Sequence, residues 1–285
     1  MTPELSQRLR DAGLDPQAVD NLVQAALAED GEVDVTSMPI FAPDDTATGS
    51  LTAREEGVVA GVPVACVVFD ALEVAYEARV ADGDRVTPGQ VLIAVSGQTR
   101  AVLRAERTAL NLLTHLSGIA TATRRWADAL EGTKAKVRDT RKTLPGLRDL
   151  QKYAVKCGGG VNHRMGLYDA ALIKDNHIAA AGSVTKAYEA IRAVYPSLHV
   201  QVECDTLAQV EEALAAGATS ILLDNMTDAQ MTEAVRLVAG QAEVEASGGL
   251  TLDRARDVAV TGVDYLAVGA LTHSAPVFDI GLDFT

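Results

Sequence analysis

Arg138, Arg141 and Lys142 close one short apolar stretch, Lys174 closes another, and Glu203 and Asp224 close two more. The stretches after them end in small-residue turns, Ser247-Gly248-Gly249 and Val268-Gly269-Ala270. His163 and Arg164 add to the cations from the glycine-rich loop "CGGGVNHRMG". Residues of these types can hold a ligand with several negative groups. Arginine grips a carboxylate or phosphate with two parallel hydrogen bonds, whereas lysine acts as a point charge. Small residues let backbone N–H groups approach an anion, and a following helix N-terminus adds a favourable dipole. Glu203 and Asp224 would repel such a ligand unless a cation lay between, and hard oxygen ligands on adjacent elements suit Mg²⁺. The implied ligand is a polyanion, a carboxylate together with a Mg²⁺-bound diphosphate. The plainer reading of the two acids is structural pairing with nearby Lys or Arg.

The charge is unevenly placed. The chain of 285 residues has a formal net charge of -14, yet from Lys134 to Lys174 ten Lys or Arg face three acids, and no lysine precedes Lys134. In "LRDLQKYAVK", Arg148, Lys152 and Lys156 read as the solvated face of a helix. Arg138, Arg141 and Lys142 precede a Pro-Gly turn, which is loop chemistry. The acidic balance argues against nucleic acid as partner. No apolar run approaches the roughly 18–20 residues of a membrane span, and the N-terminus has no apolar stretch that could direct secretion. Cys66, Cys157 and Cys204 form no metal or disulfide pattern. A cytoplasmic, reducing setting is expected.

The elements that must position these groups recur with a regular period. "KAKVRDTRK", "AALIKDNH", "HVQVECDT", "SILLDNM", "EVEASGG" and "YLAVGAL" are strand-like. Marked at Arg138, Lys174, Glu203, Asp224, Ser247 and Gly269, they are spaced by 36, 29, 21, 23 and 22 residues. Helix-like segments lie between, such as "TLAQVEEALAAG" and "TDAQMTEAVRLVAG", several closing on a glycine. Such repeats predict parallel βα units, either a barrel or an open doubly wound sheet. The chemistry gathered at the strand ends favours a barrel, whose strands share one mouth at their C-terminal ends. Only six units are visible, so the barrel is expected to be incomplete.

The first 115 or so residues differ. "GSLTAREEGVVAGVPVACVVFDAL" predicts a strand and an apolar helix, and "ARVADGDRVTPGQVLIAVSGQTR" short strands between turns. "DGDRVTPGQVL" resembles the hammerhead repeat of biotinyl and lipoyl carriers, but this half has no lysine to modify. "RAERTALNLLTHLSGIATATRRWADAL" is helical in period and sets Arg107, Asn111 and His115 on one polar stripe.

The stretches "ERTALNLLTHLSGIATAT", "DTRKTLPGLR", "GGGVNHRMGLYDAALIKDNH", "VECDT", "ILLDNM", "EASGG" and "GVDYLAVGALTHS" closely resemble the quinolinate phosphoribosyltransferases, from about residue 20 onward. That resemblance implies an α/β fold with an N-terminal α/β sandwich (hammerhead-like) domain over 1–115. An incomplete six-unit β/α barrel would follow over 116–270, with a tail over 271–285 packing back on the first domain. It implies transfer of phosphoribosyl from phosphoribosyl pyrophosphate to quinolinate with decarboxylation, giving nicotinate mononucleotide, pyrophosphate and CO2 for NAD synthesis, with Mg²⁺ as cofactor. Lys142, Lys174, Glu203 and Asp224 would be catalytic, and the two acids would hold Mg²⁺, directly or through water or ribose hydroxyls. Arg107, Arg141, His163 and Arg164 would hold the dicarboxylate, with Lys142 and Lys174 reaching toward the diphosphate. Ser247, Gly248, Gly249, Val268, Gly269 and Ala270 would receive phosphate, and Thr140 and His273 complete the substrate-binding set. The resemblance also implies a homodimer in which Arg107 reaches the partner's active site. Three rivals are a nicotinate phosphoribosyltransferase, a Schiff-base aldolase built on Lys174 and a non-catalytic anion-binding protein.

Overall fold

The computed structural model describes residues 1–31 and 33–285. Five strands come first: β1 (Thr46–Ala53), β2 (Gly57–Val58), β3 (Ala75–Ala78), β4 (Arg85–Val86) and β5 (Val91–Gln98). Six follow at the predicted positions: β6 (Lys136–Arg138), β7 (Ala171–Ile173), β8 (Val200–Cys204), β9 (Ser220–Asp224), β10 (Glu243–Ser247) and β11 (Tyr265–Ala267). A last strand, β12 (Ile280–Phe284), lies near the C-terminus. The chain divides into two compact units, one of Met1–Arg124, Asp149–Gly159 and Ser274–Thr285, the other of Arg125–Arg148 and Gly160–His273. No helix among the described residues is long and apolar enough to cross a membrane.

In the first unit an antiparallel sheet has the order β12-β1-β5-β3. Leu51 of β1 faces Ile93 on one side and Leu282 on the other, so the C-terminal strand completes the edge of this sheet. The helix Val62–Ala71 packs on β3 and is buried without a break from Val62 to Phe69. Burying one such valine is worth roughly 1.5–3 kcal/mol. Asp82 caps this helix, accepting from the Gly61 and Val62 backbone N–H groups at 2.9 Å each and from the Tyr153 hydroxyl at 2.6 Å. It thereby satisfies donors that a helix start leaves without intrahelical partners.

The second unit carries the predicted repeat. Its parallel sheet has the order β6-β11-β10-β9-β8-β7. Chain order is kept from β7 to β11, and β11 then pairs back to β6. That return is the closure of a barrel, broken between β6 and β7, where the isolated pairing of Val161 with Arg138 partly fills the opening. The helices between strands start as their sequences predict. Thr206 and Thr227 form capping boxes with Gln209 and Gln230.

One expectation is corrected. Lys156 is exposed on the helix Arg148–Cys157, but Lys152 keeps only 1% of its surface. Arg148 donates to Thr143 Oγ1 at 3.1 Å and to the Met165 carbonyl at 3.0 Å. The charged side of this helix is therefore not simply solvated: Arg148 ties down two loops, and Lys152 is buried whole, its charged end included.

Candidate active site

Strand geometry sets which residues face the barrel interior. Side chains alternate with period two, so Leu222 and Asp224 share a side of β9, as do Glu245 and Ser247 of β10. These four line one cavity of about 370 Å³ together with Leu172, Lys174, Glu203 and Ala267. All lie at or beyond the C-terminal halves of their strands. The rest of the lining comes from the two loops after β6, with Thr140, Arg141 and Lys142 on the first and His163 and Arg164 on the second. The volume is that of a small-molecule site. A second cavity of equal volume lies at the opposite strand ends, but its Lys134 is spent on Asp264 at 2.7 Å and no cations converge there.

Two acids, Asp139 buried and Asp169 exposed, hold the loops that carry the cations. Asp139, fully buried, accepts from the His163 backbone N–H at 2.8 Å and from the Asn162 side-chain amide. Asp169 accepts from the Met165 and Gly166 N–H groups at 2.7 and 2.9 Å, and Arg164 donates to the Ala170 carbonyl at 3.0 Å. Burial pushes the Arg164 pKa down, Arg141 adds to the effect and Asp169 offsets part of it. The buried Nε of Arg141 has no hydrogen-bond partner. Crowded cations with an unspent donor suit an anion.

The turn after β11 is fitted to the loop after β6. A Cβ on Gly269 would meet Lys142 Cδ at 2.9 Å, with His273 Nε2 and Thr140 Oγ1 each at 3.4 Å. Thr140 Oγ1 accepts from the Lys142 N–H at 3.0 Å, and the Thr272 hydroxyl donates to the Lys142 carbonyl at 2.8 Å. Gly248 has φ +89° and leaves no room for a Cβ beside Asn225. Asn225 in turn donates from its backbone to the Ser247 carbonyl at 2.9 Å and from its side chain to Asp224 at 2.7 Å, joining the ends of β9 and β10.

Glu203 lies 3.6 Å from Lys174 Nζ. Burial raises its pKa above the usual carboxylate range; Lys174 pulls it down and Asp224 pushes it up. Among the described residues no three His, Cys, Asp or Glu side chains form a cluster able to hold a metal ion. Two neighbouring carboxylates fit the looser demand of Mg²⁺, which takes most of its shell from water and substrate oxygens.

Of the candidates from the sequence, Thr140, Arg141, Lys142, His163, Arg164, Lys174, Glu203, Asp224 and Ser247 meet around this cavity. Gly269 lies against both Lys142 and His273, between Val268 and Ala270 in the chain, while Gly248 and Gly249 continue the turn from Ser247. Arg107 belongs to the other unit, where it is exposed in a cleft with Asp34, Val35 and Arg104. His115 of the same stripe is turned to Gln151, whose Nε2 lies 2.9 Å from its own Nε2. Sequence reasoning did not single out Asp139, Gln201 or Glu245. Strand parity offered a signal for the last two, because Gln201 and Glu245 stand two residues before Glu203 and Ser247 and so face the same interior.

Known proteins resemble this chain in sequence and in fold. Residues 34–117 match the family model for the quinolinate phosphoribosyl transferase N-terminal domain, and residues 119–283 match that for its C-terminal domain. The chain is 52% identical to the nicotinate-nucleotide pyrophosphorylase [carboxylating] of Mycobacterium leprae, over 93% of this chain and 97% of that protein. It is 41% identical to a probable enzyme of the same name from Bacillus subtilis, over 91% and 90% of the two chains. The crystal structure of NadC from Streptococcus pyogenes superposes with a TM-score of 0.91 at 43% identity, covering 95% of this chain and 99% of that one. The chain belongs to the quinolinate phosphoribosyltransferase family.

Proposed function

We propose that this chain transfers phosphoribosyl from phosphoribosyl pyrophosphate to quinolinate with loss of CO2, forming nicotinate mononucleotide and pyrophosphate for NAD synthesis. The observation that carries the reading is the cavity of about 370 Å³ where Arg141, Lys142, Arg164 and Lys174 converge above Glu203 and Asp224. Several cations beside two acids suit a dicarboxylate meeting a sugar diphosphate.

Arg141 and Arg164 hold the two carboxylates of quinolinate, fixing the ring nitrogen toward the ribose. Lys142 and Lys174 face the diphosphate, and the Ser247–Gly249 and Val268–Ala270 turns receive phosphate. With both reactants held in line, much of the barrier is removed by positioning. As pyrophosphate departs, the lysines stabilise the charge it gathers, while Glu203 and Asp224 stabilise the cationic ribose carbon. The nitrogen attacks that carbon and becomes positively charged, which stabilises the ring carbanion left when the neighbouring carboxylate departs as CO2. A proton then takes its place. Glu203 and Asp224 are the residues that would hold Mg²⁺, which supplies neutralising charge on the diphosphate. No covalent nucleophile is needed.

Arg107 completes the site from the second copy of a homodimer, which accounts for a substrate-binding arginine outside the barrel unit. We place the enzyme in the cytoplasm, in keeping with the free state of Cys66, Cys157 and Cys204. Incubation with phosphoribosyl pyrophosphate, Mg²⁺ and either quinolinate or nicotinate tests the substrate. Consumption of quinolinate alone supports the reading, and consumption of nicotinate alone overturns it in favour of a monocarboxylate enzyme.

A further inference from the structure

Beneath the cations, the barrel interior holds polar side chains that touch one another. Gln201 and Glu245 each keep only 1% of their surface. Arg138 Nη1 donates to Glu245 Oε2 at 2.7 Å, and Gln201 Nε2 donates to the same oxygen at 3.3 Å. Arg138 also lies over the Tyr265 ring, 3.3 Å from its centre. Gln201 Oε1 and His163 Nε2 are 2.7 Å apart, and the Arg164 backbone N–H donates to His163 Nδ1 at 2.7 Å.

Donor and acceptor bookkeeping fixes the protons. A carboxylate only accepts, so Gln201 must turn its NH2 toward Glu245 and its oxygen toward the imidazole. His163 Nε2 must then carry a hydrogen. Its Nδ1 accepts the Arg164 N–H and must present a lone pair. With these partners the ring would carry one proton and no charge. Protonating Nδ1 would set N–H against N–H and release the Arg164 backbone. The second oxygen of Glu245 has no hydrogen-bond partner and stands 3.8 Å from His163 Nε2. Leaving a buried carboxylate oxygen unbonded is costly, so the network is poorly explained by stability alone.

We infer that Gln201 and Glu245 are positioning residues that hold His163 as the neutral Nε2–H tautomer, so that its Nδ1 fixes the backbone of Arg164 in the substrate cavity. In the proposed reaction the positive charge offered to the dicarboxylate then comes from arginine and lysine, and His163 serves as a splint for Arg164. The inference rests on that reaction only where kinetics are read.

The test uses the full chain labelled with ¹⁵N-histidine, with the His163 resonances assigned by their loss in His163→Asn. At neutral pH and without substrate, His163 is expected to show a protonated Nε2 and a bare Nδ1. A doubly protonated ring, or an Nδ1–H tautomer, would overturn the inference. Gln201→Leu is expected to lose the single tautomer and to raise the quinolinate KM about tenfold through a misplaced Arg164, with the phosphoribosyl pyrophosphate KM held. Glu245→Gln keeps an oxygen at the Oε2 place and is expected to retain the wild-type ring spectrum. A Gln201→Leu enzyme with both the wild-type spectrum and the wild-type quinolinate KM would also refute it. If the wild-type protein turned over no quinolinate at all, the reaction would fall while the ring spectrum still decided the tautomer.

Discussion

Lys174 and Glu203 face each other at the ends of β7 and β8, with Nζ 3.6 Å from Oε2. The lysine side chain is 48% exposed and the glutamate side chain 15%. The cation therefore remains open to a ligand while the acid is largely enclosed. Burial and Asp224 outweigh the help that Lys174 gives, and the Glu203 pKa lies above its ordinary value.

A carboxylate whose folded-state pKa is raised costs stability once it ionises. The cost is absent below the ordinary glutamate value, about pH 4, and grows as pH rises through the raised one. Glu203→Gln is expected to be more stable than wild type at neutral pH, the difference vanishing toward about pH 4, while activity is lost. Denaturant titrations of both proteins across that range check this. A variant less stable at neutral pH would refute the sign.

Lys142→Ala and Arg164→Ala are each expected to lower turnover by roughly 10²–10³-fold, the scale of removing one well-placed electrostatic group. Their melting temperatures should stay within about 4 °C of wild type. Steady-state kinetics beside thermal melts separate the two effects. Unchanged turnover in either variant removes that residue from the proposed machinery.

Gly248 and Gly217 provide an internal contrast. Both have positive φ, +89° and +87°, but a Cβ on Gly217 would meet nothing whereas one on Gly248 would strike Asn225. Alanine at either position should cost about 1–3 kcal/mol of backbone strain. Gly217→Ala should keep full activity per folded molecule. Gly248→Ala should also lose activity, because Asn225 is bonded to both Ser247 and Asp224.

Arg107 and Lys142 can be tested for service in one site from different chains. Arg107→Ala and Lys142→Ala should each be inactive alone. Mixed and reassociated in equal amounts, they should recover about a quarter of wild-type activity, since half of the random dimers then carry one intact site. No recovery on verified subunit exchange would place both residues in the same chain's site.

Much of the barrel unit could be read from the chain because its signals are local. Arg138, Lys174, Glu203, Asp224, Ser247 and Gly269 mark strand ends, and Gly217, Gly240 and Gly262 follow the helices with positive φ. The polar floor was harder to read. Gln201 and Glu245 are 44 residues apart, and their meeting depends on barrel closure, which local periodicity does not encode. Lys152 misled for a related reason: amphipathic spacing predicts which helix face is polar, but not whether another part of the chain covers it. Arg138 looked like another cation for the ligand, yet it lies over Tyr265 and is bonded to Glu245.

Release of CO2 from carboxyl-labelled quinolinate tests the central claim most directly. The account predicts release that requires phosphoribosyl pyrophosphate and Mg²⁺ together, matched by equal formation of nicotinate mononucleotide. Absence of release from folded protein with both present would contradict it.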